Sequence, residues 1–225
     1  MLVERSTDPG WLSNAYLVAD EPGGTAVFVD SGAPLEPLLE TVERDRLTVT
    51  HLLTTHGHGD HVAGDAELRR LFRPTVLAHP WEGLAAAGGL EIEPLPTPGH
   101  SPDHLSFVVD GAVFTGDVLF RDSIGGGDFE QVRHSVMEIL MKLPPQLRVL
   151  AGHGEETTIG REWDENPFVL VWRGAAPEGT ERCRVDGEEA TLVVWSPDYD
   201  GKGKAWIRLD SGLDRIVGGS RLSRT

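Results

Sequence analysis

Leu47-Thr48-Val49-Thr50-His51-Leu52-Leu53-Thr54, continued by Thr55-His56-Gly57-His58-Gly59-Asp60-His61, is the stretch on which the reading of this chain turns. Residues 47–54 read as a buried strand, rich in β-branched and leucine side chains and free of turn formers. Four ligand-type side chains follow within six residues: His56, His58, Asp60 and His61. Histidines at i and i+2 can project to one side of an extended turn and share a metal ion. Asp60 and His61 then point onward to a second site. Imidazole nitrogen and carboxylate oxygen are donors that zinc prefers. The interleaved glycines are expected to remove bulk and to allow unusual backbone angles. A lone loop histidine is usually a surface or hydrogen-bonding residue; a quartet at this spacing is not explained that way.

Upstream, Asn14–Ala19 and Thr25–Asp30 read as a hairpin around Asp20-Glu21-Pro22-Gly23-Gly24. Residues 34–45 read as a helix with Leu35, Leu38, Leu39 and Val42 on one face. Downstream come a short helix over 66–72, a strand over 75–78 and a short helix over 81–87. Strands over 104–109 and 112–115 are joined by the turn Asp110-Gly111. The clearest helix spans 130–143, with Val132, Val136, Leu140 and Leu143 in register and Pro144-Pro145 ending it. Residues 147–151 read as a strand running into Gly152-His153-Gly154. His100 follows Pro98-Gly99, and Asp117 follows Thr115-Gly116, so further ligand types recur where strands stop. Alternating strands and helices with polar loops at strand ends predict an α/β layered domain with ligands along one edge of its sheets.

After Asn166-Pro167 the texture changes. Residues 168–172, 182–185, 191–195 and 204–209 read as short strands, with Trp172, Trp195 and Trp206 as their small core. The expected organisation is a catalytic domain over 1–167 and a small β-rich extension over 168–225. The net charge of −16 resides wholly in the first part, because residues 168–225 carry nine basic and nine acidic side chains. A strongly acidic body repels phosphate backbones and anionic membranes, so a small-molecule substrate is expected, with no nucleic-acid or membrane partner. No stretch approaches the length of a membrane helix, and the start does not read as a signal peptide. The single cysteine, Cys183, excludes an intrachain disulfide, suits a cytoplasmic location and is not read as a nucleophile. The sequence leaves monomer and homodimer open.

Thr55-His56-Gly57-His58-Gly59-Asp60-His61 resembles the T-H-x-H-x-D-H signature of the metallo-β-lactamase fold superfamily. Thr97-Pro98-Gly99-His100-Ser101, Phe114-Thr115-Gly116-Asp117 and Gly152-His153-Gly154 match its later motifs in order, and Asp30 resembles the acid that ends an early strand and supports the metal loop. Within the superfamily, residues 116–120 and 152–160 look most like the glyoxalase II-like branch of hydroxyacylglutathione hydrolases. The resemblance covers roughly residues 10–167. It implies an αββα sandwich carrying a small C-terminal β appendage. His56, His58 and His100 would hold one ion, Asp60, His61 and His153 a second, and Asp117 would bridge them. It implies two divalent metal ions, zinc by preference and iron or manganese by the same donors. Their hydroxide would cleave a small ester or thioester, with Asp60 orienting the water and shuttling its proton.

The chain departs from that branch in four places, one of them Asp103, which stands where a glycine is common. Gly126 stands where a basic residue is usual, Gly154-Glu155 where a tyrosine often follows the last histidine, and no C-terminal helical domain follows. These departures bear on glutathione recognition and leave the ligand set whole. A mononuclear-iron persulfide dioxygenase and a lactonase-type hydrolase are the alternative readings. His104 is expected to brace the site and His79 to be either a brace or a plain loop residue. His51 and His134 are read as structural. The loop 120–129, made flexible by three glycines, is expected to border the substrate pocket, with Arg121 as its one basic side chain.

Overall fold

The structure, a computed structural model, describes residues 1–81 and 83–224. Its chain divides into two compact units: Met1–Pro96 with Asp103–Gly116, and Thr97–Pro102 with the chain from Asp117 onward.

The first unit begins with β1 (Leu2–Thr7), β2 (Asn14–Ala19) and β3 (Thr25–Val29), which pair antiparallel in that order. Helix α1 (Glu36–Arg44) then crosses to β4 (Thr48–Leu53), which lies parallel to β3. A single turn, α2 (Gly59–Val62), and α3 (Asp65–Phe72) cross to β5 (Thr75–Leu77), parallel again to β4. Proline in the first turn of α1, with Glu36 beside it and Arg44 at the far end, suits both helix ends. Leu38 and Val42 of α1 and Leu68 of α3 pack on Ala15, Leu17, Ala26, Phe28 and Leu52 of the sheet. Each such leucine contributes about 2 kcal/mol by leaving water. The opposite face is buried as well: Tyr16 of β2 meets Phe114 edge-on, with ring centroids 5.3 Å apart. Burial on both faces explains why β2 and β3 read as continuous apolar runs.

The strands β6 (Ala85–Ala87), β7 (Leu90–Pro96), β8 (Leu105–Val109) and β9 (Ala112–Gly116) follow, each antiparallel to the next. The helix expected over 81–87 is absent from its described residues. Ala85–Ala87 is a strand paired with Leu90–Ile92, so sheet pairing overrides the helix preference of alanine; Glu82 lies outside the described residues.

The second unit holds the hairpin β10 (Leu119–Phe120) and β11 (Ser123–Ile124), then α4 (Phe129–His134), capped by Asp128, whose carboxylate accepts from the Gln131 N–H at 2.9 Å. The long helix expected over 130–143 is real but irregular. It widens into a π turn over Ser135–Ile139, tightens into a 3-10 turn over Leu140–Lys142, and stops before the two prolines. β12 (Arg148–Ala151) and β13 (Thr157–Thr158) pair antiparallel, and α5 (Ile159–Glu165) follows. The strand expected over 168–172 is instead α6 (Pro167–Trp172). Asn166 accepts from the N–H groups of Phe168 and Val169, and proline fills the first helical position; this capping outweighs the β-branched composition.

The chain then forms one antiparallel sheet from β14 (Glu181–Val185), β15 (Glu188–Ser196), β16 (Lys204–Leu209), β17 (Asp214–Gly218) and β18 (Leu222–Arg224), in the order β17-β16-β15-β14-β18. It has its own apolar cluster of Val185, Leu192, Ile207, Leu209 and Val217 around the buried Cys183, whose thiol burial pushes up in pKa. Of the three tryptophans expected to fill its core, Trp206 is buried, Trp172 belongs to α6, and Trp195 is 45% exposed. Among the described residues, no helix is long and apolar enough to cross a membrane.

Where β3 ends, the chain passes so close to α2 that a Cβ on Gly32 would stand 1.6 Å from the Asp60 carbonyl oxygen. Gly32→Ala is therefore expected to cost about 2 kcal/mol or more of unfolding free energy, read by denaturant titration, as backbone must move to admit the methyl.

Candidate metal centre

Strands β3 and β4 are parallel, so both deliver their C-terminal ends to the same edge. β3 is followed directly by Asp30, which is 3% exposed and takes a left-handed backbone with φ 55°. Its carboxylate gathers the loop after β4. Oδ1 accepts from the Thr55 N–H at 2.8 Å, and Oδ2 accepts from the Thr55 hydroxyl at 2.8 Å and from His61 Nδ1 at 2.8 Å. Ser31 secures the same turn: its N–H donates to the His61 carbonyl, and its hydroxyl donates to Asp65 at 2.7 Å. Burial raises the Asp65 pKa above the usual carboxylate range.

The Thr55 proton is committed to Asp30, so its oxygen accepts from His56 Nδ1 at 3.1 Å. That makes His56 an Nδ1–H tautomer with a lone pair on Nε2. His61, donating Nδ1–H to Asp30, is in the same state. His56 Nε2 lies 3.0 Å from His58 Nδ1, and His61 Nε2 lies 3.8 Å from Asp60 Oδ2. The His56 ring is 4.3 Å from that of His61 and 4.5 Å from that of His58, centroid to centroid. The unusual backbone angles expected at Gly57 and Gly59 are not found; neither has a positive φ, and the left-handed residue of this edge is Asp30. His104 is buried, with its ring 5.1 Å from that of His56. Gly116 makes room for it, since a Cβ there would meet His104 Nε2 at 2.5 Å. His79 is exposed, His134 is an exposed residue of α4, and half-buried His51 has its pKa lowered by burial.

The second unit carries the other three candidates. His100 donates from Nδ1 to the Gly126 carbonyl at 2.9 Å; a carbonyl only accepts, so Nε2 again holds the lone pair. Asp117 Oδ2 stands 3.5 Å from His100 Nε2 and 3.4 Å from His153 Nε2. Ligand atoms about 2.1 Å from a tetrahedral ion are themselves about 3.4 Å apart. These separations therefore suit a shared ion better than a direct hydrogen bond, and the donor set fits divalent metals. Two glycines of the loop sit close against backbone. A Cβ on Gly125 would stand 1.7 Å from the Asp117 carbonyl oxygen, and one on Gly127 would stand 2.1 Å from that of Gly99. The glycines serve close backbone approach, which places the Gly126 carbonyl on His100.

A model of the metallo-β-lactamase superfamily matches residues 8–87 and 81–153. The chain belongs to that superfamily. Hydroxyacylglutathione hydrolase GloC of Haemophilus influenzae is 31% identical over 196 residues, which are 69% of this chain and 92% of that protein. The crystal structure of ETHE1 from Myxococcus xanthus superposes with a TM-score of 0.68 and 28% identity over 76% of this chain and 85% of that one. TTHA1623 in a di-iron-bound form superposes with a TM-score of 0.64 and 32% identity over 73% of this chain and 99% of that one. The chain lies in the glyoxalase II-like branch of the superfamily, and its mixed α/β fold is the metallo-β-lactamase fold.

In this superfamily member the sheet formed by β14 to β18 lies beyond the residues matched by the family model, yet a turn of it reaches the candidate ligand His153. Tyr199, on the turn between β15 and β16, lies ring on ring over His153 with centroids 4.3 Å apart and planes at 13°. Sequence reading missed it, because an aromatic residue in a turn far along the chain carries no local signal. His153, Gly154, Phe120, Arg121, Pro197 and Tyr199 line a cavity of about 430 Å³.

Thr55→Val keeps the shape of this buried side chain but removes the link between Asp30 and His56. A fall of about tenfold in metal affinity is expected, read by competition with a chelator, with folding retained.

Proposed function

We propose that the chain is a dinuclear metallohydrolase that cleaves a small thioester or ester. One observation carries the reading: His56, His61 and His100 each commit Nδ1 to a fixed oxygen and turn a lone-pair Nε2 toward other ligand types. On this reading, which follows the order of the family's motifs in the sequence, His56, His58 and His100 hold one ion, Asp60, His61 and His153 hold the other, and Asp117 is shared. Zinc is the proposed metal, and iron or manganese suits the same donors. The likeness to the di-iron form of TTHA1623 and to the Haemophilus hydroxyacylglutathione hydrolase supports the reading.

Two divalent ions, when bound, supply Lewis acidity that activates water near neutral pH and polarises a carbonyl. Asp60 is the proposed proton handler. It is the more exposed member of its pair with His61, and its carboxylate orients the attacking water and holds the proton it gives up. His58 is also exposed, whereas His56 and His61 are buried, so substrate approaches from the side of His58 and Asp60. The net charge of −16 supports a small-molecule substrate over nucleic acid.

The alternative enzyme class, a mononuclear-iron persulfide dioxygenase, is supported by the likeness to ETHE1. Elemental analysis separates the two. Two metal ions per chain and hydrolysis within a panel of acyl thioesters, S-lactoylglutathione, lactones and β-lactams is the expected result. One iron per chain with oxygen uptake overturns it. His58→Ala and Asp60→Ala are each expected to stay folded, lose metal and fall about 100-fold or more in kcat/KM; full activity in either sinks the assignment.

A further inference from the structure

The longest strand of the C-terminal sheet, β15, ends at Ser196, and the turn that follows is held in place by two ties. The Ser196 hydroxyl donates to the Asp122 carbonyl, on the loop just after Asp117. Lys204 Nζ pairs with Asp198 at 2.9 Å, with both side chains largely buried. The turn therefore holds Tyr199 in one place.

That place is the face of His153. Besides the parallel stack, Phe120 meets the His153 ring edge-on at 6.0 Å and the Tyr199 ring edge-on at 5.3 Å. One facial and one edge-on aromatic contact define the imidazole plane and so hold Nε2 at its 3.4 Å from Asp117. Gly154 fits the same arrangement: its φ is +78°, and a Cβ there would come within 3.1 Å of Tyr199 Cβ. Tyr199 is still 36% exposed, so part of its ring remains open to the cavity, where Phe120 and Pro197 stand beside it and Arg121, Asp122, Glu155 and Asp198 supply charge.

We propose that Tyr199 is a positioning residue for His153 and at the same time the aromatic wall of the substrate pocket. The C-terminal sheet thereby offers an aromatic face to a planar or apolar group beside the scissile carbonyl. The inference rests on the dinuclear reading above. Packing of the turn alone would give Tyr199 no effect on metal.

The test uses the full chain loaded with zinc, as wild type, Tyr199→Phe and Tyr199→Leu. Zinc release to a chromophoric chelator, KM for an apolar acyl thioester and thermal melting are measured on each. Wild type and Tyr199→Phe are expected to behave alike. Tyr199→Leu is expected to release one of its two ions about tenfold faster and to show a several-fold higher KM. Tyr199→Asn, a residue suited to turns, repeats the comparison if leucine lowers the melting temperature. Wild-type release rates for both ions in the leucine and asparagine variants overturn the proposal. A wild-type chain that holds fewer than two ions of zinc, iron or manganese instead overturns the dinuclear reading, so the two failures are distinguishable.

Discussion

A single carboxylate, that of Asp30, takes three hydrogen bonds from the loop that begins at Thr55. It is almost fully buried, so its charge is tolerated only because those donors are in place. The arrangement works in both directions. The donors make the buried acid affordable, and the acid dictates which nitrogen of His56 and of His61 carries a proton. The parallel pairing of β3 with β4 brings donor and acceptor to the same edge, so the sheet topology itself sets the protonation pattern of two candidate ligands.

The second unit solves the same problem without a carboxylate. His100 is oriented by a backbone carbonyl, and the close approaches that Gly125 and Gly127 allow bring that carbonyl near enough. Gly126 thus has a structural task at the position where a basic residue is common in the glyoxalase II-like branch. A side chain there would not change the carbonyl's role, because nothing lies within 4 Å of a Cβ on Gly126. The difference from the branch is one of side-chain chemistry at the loop surface.

The ligand-type residues were legible because they are local: His56 to His61 form a motif in six residues, and His100, Asp117 and His153 each sit beside a glycine at a strand end. The first sheet was legible from its apolar runs. The errors lie where tertiary pairing or capping overrides composition. Ala85–Ala87 became a strand by pairing with β7, and Phe168–Trp172 became a helix although its β-branched residues suggested a strand. For the latter, Asn166-Pro167 was the signal to weigh more heavily. The contact between Tyr199 and His153 joins residues far apart in sequence through a sheet register and two turn ties, and no window of sequence contains it.

Cys183 acquires a meaning from its place in the C-terminal sheet. It is fully buried in the cluster between β14 and β15, and burial holds its thiol protonated. If the proposed reaction is carried out on a thioester, a free thiol is released at every turnover in the immediate neighbourhood of the protein's own surface. A chain whose sole sulfhydryl is sealed in a sheet offers that product no thiolate with which to form a mixed disulfide under oxidation, so the catalyst is chemically insulated from what it makes.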